Sequence, residues 1–290
     1  MHRTCLDRSS PDRRTERARS RRARCWALAT AAMLVLALGP PPPAHAIGEI
    51  LLDAGIGESF PQSSNLSIEQ RELDNDFTIR DLAFDDRSLD DPPFYFLGAS
   101  YFLRAAPWVG FTLDFVHAKL YARTEETKRI DGTISGTIVD EPTPVQAVVQ
   151  SFSISHGLNY LALGVAVRKG LGPRSDAWPI GRVQVQGGVG VGPVLGHPEN
   201  TVGGERLRER YDFGGVGFVG SATIRVFPFS RVGVWLAALS TISSIDVPVA
   251  RGGHASFTDR TPSVLLGLTY RATTPVVAPS SPLSPPPGER

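Results

Sequence analysis

Arg182-Val183-Gln184-Val185-Gln186-Gly187-Gly188-Val189 sets polar or small residues against apolar ones at every second position, with Gly187 the one gap on the valine side. A period of two sends successive side chains to opposite faces of an extended strand, so this stretch has one apolar and one polar face. The same pattern recurs at Ser263-Val264-Leu265-Leu266-Gly267-Leu268-Thr269-Tyr270, where Val264, Leu266, Leu268 and Tyr270 share a face. It recurs again at 95–103, where Tyr95, Leu97, Ala99, Tyr101 and Leu103 oppose Gly98 and Ser100. Working outward, eight such segments emerge, at roughly 48–58, 94–104, 108–122, 156–169, 181–192, 214–227, 231–245 and 260–271. Helical periodicity is poor throughout.

The connections carry a second signal. Segments two and three are joined by Ala105-Ala106-Pro107, segments six and seven by Pro228-Phe229-Ser230, and segments four and five by about ten residues, 170–180. The alternate connections, 59–93, 124–155, 193–213 and 246–259, are long. Tight turns at one end and extended loops at the other, on strands with one apolar face, predict an all-β fold: an eight-stranded antiparallel transmembrane β-barrel of the outer-membrane kind, with lipid outside and a packed polar lumen. Trp108, Tyr121 and Phe227 stand at strand ends, as residues of interfacial girdles do. Eight strands leave a lumen that side chains fill, so no conducting pore is expected.

The chain's 290 residues and net charge of +1 exclude a polyelectrolyte and a nucleic-acid binder. That total hides an Arg-rich start: both cysteines, Cys5 and Cys25, lie before residue 46, and the chain beyond it is acidic and free of cysteine. The apolar core from Trp26 to Leu38, ending at Ala44-His45-Ala46, reads as a secretory signal peptide, too short to span a membrane. The expected organisation is therefore a signal peptide at 1–46, a barrel at 47–272 and a Pro/Ser-rich disordered tail at 273–290. The localisation follows as the outer membrane of a Gram-negative cell, and the barrel is expected to be monomeric. The first long connection is rich in Asp and Glu (Glu69, Glu72, Asp74, Asp76, Asp81, Asp85, Asp86, Asp90 and Asp91) and reads as a solvated loop. Gly187-Gly188-Val189-Gly190-Val191-Gly192 has no following helix and makes no nucleotide loop.

Four histidines gather at the long-loop end. His117, Lys119 and Tyr121 close the third segment, His156 and Asn159 open the fourth, His197 and Glu199 follow the fifth, Tyr211 marks the departure of the sixth, and His254 lies in the last loop. Continuing the parity of Val109, Phe111, Leu113 and Phe115, the side chains of His117, Lys119 and Tyr121 point outward, near the level where the hydrocarbon ends. Imidazole serves as a general base or metal ligand near neutral pH, and Lys supplies a point charge for phosphate. Each also has an ordinary reading, as an interfacial anchor or a residue satisfying loop backbone.

Phe115-Val116-His117-Ala118-Lys119-Leu120-Tyr121-Ala122, Ser155-His156-Gly157-Leu158-Asn159 and the glycines before His197-Pro198-Glu199 resemble stretches of the lipid A oxidase family of outer-membrane barrels. The likeness runs over roughly 94–271 and departs on the seventh segment, where this chain has Trp235-Leu236-Ala237-Ala238-Leu239-Ser240. The resemblance implies oxygen-dependent oxidation of the proximal glucosamine of lipid A, with a divalent metal ion and molecular oxygen. It implies catalytic roles for His117, His156 and Glu199, metal ligation by His117, His156 and His197, and substrate contacts from Lys119, Tyr121 and Asn159. Lipid A or lipopolysaccharide, with the surrounding outer-membrane lipid, is the implied partner. The competing expectation is a non-catalytic barrel serving envelope integrity or adhesion.

Overall fold

A computed structural model describes residues 48–90, 93–175, 180–207 and 211–273. The signal segment and the Pro/Ser tail, apart from Thr273, lie outside these residues, as does Asp91. Among the described residues the strands run β1 (Glu49–Ser59), β2 (Ser64–Gln70), β3 (Asn75–Leu82), β4 (Phe84–Asp85), β5 (Tyr95–Phe102), β6 (Val109–Ala122) and β7 (Thr127–Ile134). They continue with β8 (Thr137–Pro144), β9 (Val149–Leu171), β10 (Val183–Val202), β11 (Glu205–Arg206), β12 (Asp212–Val226), β13 (Val232–Pro248) and β14 (His254–Thr273).

Eight of these close a ring in the order β1-β5-β6-β9-β10-β12-β13-β14, and β14 returns to β1 through an antiparallel register from Glu49↔Thr273 to Ser59↔Ser263. These are the eight segments read from the alternation, with β9, β10 and β14 extended well beyond the expected limits. Closure removes both edges of the sheet and satisfies every wall strand's backbone by its neighbours, the condition a strand must meet inside hydrocarbon. The outward face confirms the environment. Val185 and Val189 on β10, Leu236 on β13, and Leu266 and Leu268 on β14 all lie exposed, as do Phe111, Leu113, Val165 and Val167 on the neighbouring wall. An apolar belt of this extent is stable against acyl chains and would be a liability in water.

The inward face is polar and filled. Glu49 accepts from Arg168 at 2.5 Å and forms an ion pair with Arg271 at 2.5 Å, and Arg225 meets Asp53 at 2.7 Å and Gln186 at 3.0 Å. Phe227 corrects one expectation: it is fully buried beneath the Arg271 guanidinium, 3.9 Å from its ring centre, and belongs to this plug rather than to a girdle. Trp108 is exposed, as a girdle residue should be. Higher in the lumen, Tyr160 bonds Asp259 and Ser243, while Trp235 stands edge-on to Phe96.

The long connections are where the alternation undersold the chain. The stretches 59–93 and 124–155 are not bare solvated loops but hairpins, β2–β3 and β7–β8, which join side by side and extend the wall from β14. Leu66, Ile68, Phe77, Ile79 and Ile130 point to one face of this extension and bury against Phe84, Phe152, Val149 and Phe257. Their burial roofs the ring and continues the apolar cluster of the upper lumen, which includes Tyr160, Val219, Trp235 and Leu239.

Candidate functional site

The outer ends of β6, β9 and β10 are adjacent in the ring, so the topology alone brings their polar residues together. Register then decides which way they point. His117 pairs directly with Asn159, and Asn159 with Leu195, which places all three on the lipid-facing side. On β10 the outward series Val185, Val189, Val191 continues through Leu195 to His197 and Glu199. The outward parity expected for His117, Lys119 and Tyr121 holds.

A bulge in β9 supplies the rest. Ala118 and Leu120 are two residues apart on β6, but their partners Leu158 and Ile154 are four apart on β9, so Ser155, His156 and Gly157 swell out of the ladder opposite Lys119. The β10 side shows a matching shift between Gly196 and Pro198, opposite the same residues. Gly157 adopts a φ of +121°, a backbone conformation that suits glycine. The bulge aims His156 towards β10, where its Nδ1 comes within 2.8 Å of Glu199 Oε1.

Three ligand-bearing side chains therefore converge: the donor atoms of His156, His197 and Glu199 all lie within 4.8 Å of one another. The two imidazole rings meet edge-on at 4.7 Å, and His197 Nδ1 is 3.9 Å from Glu199 Oε1. His197 Nδ1 and Glu199 Oε1 are buried without a hydrogen bond, despite the short approach of His156 to that same carboxylate oxygen. The separation is that of an ion pair while the alignment is not that of a hydrogen bond, so the lone pairs crowd one locus without satisfying each other. His156 is the exposed member, its side chain 56% accessible.

The other expected site residues surround this group without joining it. His117 Nδ1 is tied to Asn159 Oδ1 at 2.8 Å, Tyr95 stacks on its ring at 4.8 Å, and its Nε2 is buried without a partner. Lys119 points outward yet is buried, because the connection from β4 to β5 laps over it and the ammonium donates to the Asp90 carbonyl at 3.0 Å. Arg87 of the same connection lies over the Tyr121 ring at 4.1 Å. His254 stands apart, paired with Asp246 at 3.0 Å.

Two contributors have roles that the residues alone do not assign. Tyr211 is exposed, its ring meets His197 at 4.8 Å, and its hydroxyl donates to the His156 carbonyl at 3.1 Å. Its position at the departure of a strand beside a histidine-bearing loop is the available signal. The alternation assigns Tyr95 only to the outer apolar face, and nothing local in its sequence announces His117 as its neighbour.

No family model matches the chain, and no curated protein matches it. Among solved structures, the chain is similar to the attachment invasion locus protein Ail of Yersinia pestis, at 12% identity over 78% of this chain and 99% of that one, with a TM-score of 0.34. It is also similar to OprG from Pseudomonas aeruginosa, at 12% identity over 79% and 98%, TM-score 0.37. The outer membrane protease OmpT from Escherichia coli gives 8% identity over 77% and 97%, TM-score 0.41. The closed ring, the apolar belt and the extended connections at one end make this chain an outer-membrane β-barrel protein.

Proposed function

We propose that this barrel modifies lipid A at the outer-leaflet rim, as an oxidase acting on the proximal glucosamine, with His156, His197 and Glu199 holding a divalent metal ion. One observation carries the reading: two imidazoles and a carboxylate converge on the outward face just past the apolar belt, with His197 Nδ1 and Glu199 Oε1 unbonded. Two histidines and one carboxylate are the donor set of non-haem iron oxygenases, and such an ion when bound supplies a centre at which dioxygen accepts the substrate's electrons. The residues present fit that group.

The protein's own side chains do the remainder. Glu199 brings a full negative charge to the three ligands, and exposed His156 leaves that group open to solvent and substrate. His117, oriented by Asn159, offers a second imidazole on the same face. Release of the Asp90 carbonyl would free the Lys119 ammonium for a phosphate at the headgroup level. Tyr211, exposed beside His197, presents an aromatic face to a sugar ring.

The test is the mass profile of lipid A from aerobic, metal-replete cells carrying the wild-type gene, no gene, or the variants His156→Ala, His117→Ala and Glu199→Gln. The wild type should produce a species heavier by one oxygen, and the variants should lose it while heat-modifiable migration of the folded barrel persists. An identical profile with and without the gene would leave the non-catalytic reading, a barrel for envelope integrity or adhesion, in its place.

A further inference from the structure

On the ring β9 is fourth and β14 eighth, so the surface around β14 lies diametrically across from the histidine rim. There the outward residues of β13 are apolar from Val232 through Val234, Leu236 and Ala238 to Ile242, with Ser240 the single exception, and then turn polar at Ser244 and Asp246. That run matches the 9–11 residues a tilted strand needs to cross the hydrocarbon. On β14 the outward series Tyr270, Leu268, Leu266, Val264 ends in the same way, and Arg260 pairs with Ile242. Register thus sets the Arg260 guanidinium at the boundary where the headgroup phosphates of the outer leaflet lie.

Immediately above that level is a groove of about 430 Å³, lined by Ser63, Ser64, Ser67, Ser244, Ser256 and Arg260, with Asn65, Thr258 and Asp81 completing its wall. Its shape is held by the backbone. Gln62 donates to the Arg260 carbonyl at 3.0 Å, Thr258 N–H donates to Ser64 Oγ at 3.1 Å, and Asp81 N–H donates to Asn65 Oδ1 at 3.0 Å, with Asp81 fixed at a φ of 51°. Arg260 is exposed, and no carboxylate among the described residues pairs with it. Many hydroxyls, one carboxylate and one uncommitted guanidinium are the complement of a sugar that carries phosphate: hydroxyls and Asp81 for the ring oxygens, the planar fork of Arg260 for the phosphate.

We propose that this groove is a binding site for a phosphorylated saccharide headgroup, separate from the histidine rim and independent of the chemistry proposed there. Two sources offer that headgroup, a glycolipid of the outer leaflet and a soluble sugar phosphate.

The full barrel carrying His156→Ala, which disables the metal-holding trio and leaves the remaining rim contacts common to every variant compared, is placed in phosphatidylcholine nanodiscs with lipopolysaccharide, and retained glycolipid is measured by native mass spectrometry. Against that parent, Arg260→Gln should weaken retention by about tenfold or more. Ser244→Asp, which sets a like charge at an exposed groove position, should do the same and serves if Arg260→Gln fails to fold. Displacement of the glycolipid by free glucosamine 1-phosphate would support the site and assign its ligand to the soluble pool, whereas retention of the intact glycolipid alone would assign it to the membrane. Equal retention by the parent, Arg260→Gln and Ser244→Asp overturns the proposal, whatever the lipid A profile of the wild-type cells.

Discussion

Gly157→Ala is the sharpest perturbation of the rim, because two separate costs meet at one atom. A Cβ on residue 157 would lie 2.5 Å from His117 Cε1, 2.6 Å from its Nδ1 and 2.8 Å from Asn159 Nδ2. The ring has little room to withdraw, since it is buried, has Tyr95 stacked on it at 4.8 Å, and is bonded to Asn159 at 2.8 Å. Holding alanine at a φ of +121° costs about 1–3 kcal/mol. Losing the buried imidazole–amide bond costs roughly 1 kcal/mol more. The expected loss is therefore about 2–4 kcal/mol, read as urea unfolding of the barrel refolded into vesicles and followed by tryptophan fluorescence. The double variant His117→Ala/Gly157→Ala separates the terms: removing the ring relieves the clash but not the dihedral cost, so the double variant should lose less than the sum of the two single losses. A Gly157→Ala barrel within about 0.5 kcal/mol of wild type, with His117 resonances unmoved, would refute the account of how the bulge seats His117.

Other consequences are as accessible. Arg225→Met leaves the buried Asp53 carboxylate without its partner and should cost about 3–5 kcal/mol in the same unfolding measurement, with Asp53→Asn in the same chain recovering most of it. Planar bilayers containing the wild-type barrel should show no steady conductance, because the Glu49, Arg168 and Arg271 cluster fills the lumen; stable open channels would contradict the packed interior. Arg80 bonds Asp131 across β3 and β7 and holds its carboxyl below the ordinary range. The stabilisation is thus complete above the unfolded value near 3.8 and fades as the pH falls through the lower folded value. Amide exchange between β3 and β7 should accelerate only in that acid window, and Arg80→Gln should remove the effect.

How much of this was legible in the residues differs between the wall and its roof. A period of two leaves no freedom about which side of a strand faces out, since slipping one place would send Val185 and Val189 inward and Gln184 and Gln186 into lipid. The eight wall strands, their facing and the level of His117 were accordingly readable from local pattern. The hairpins of the roof carry their own short alternations, Leu66 with Ile68 and Phe77 with Ile79, but the acidic residues between them masked the signal. Their partners lie far along the chain, and pairing over such separations depends on the assembled core rather than on any neighbouring residue. The rim shows the same division. Chain order and parity were enough to collect His156, His197 and Glu199 at one mouth; the β9 bulge, which no nearest-neighbour preference dictates, sets their separations and leaves His117 with Asn159 instead. The cover over Lys119 likewise depends on where the connection from β4 comes to rest, a matter of packing between elements that touch only after the barrel has closed.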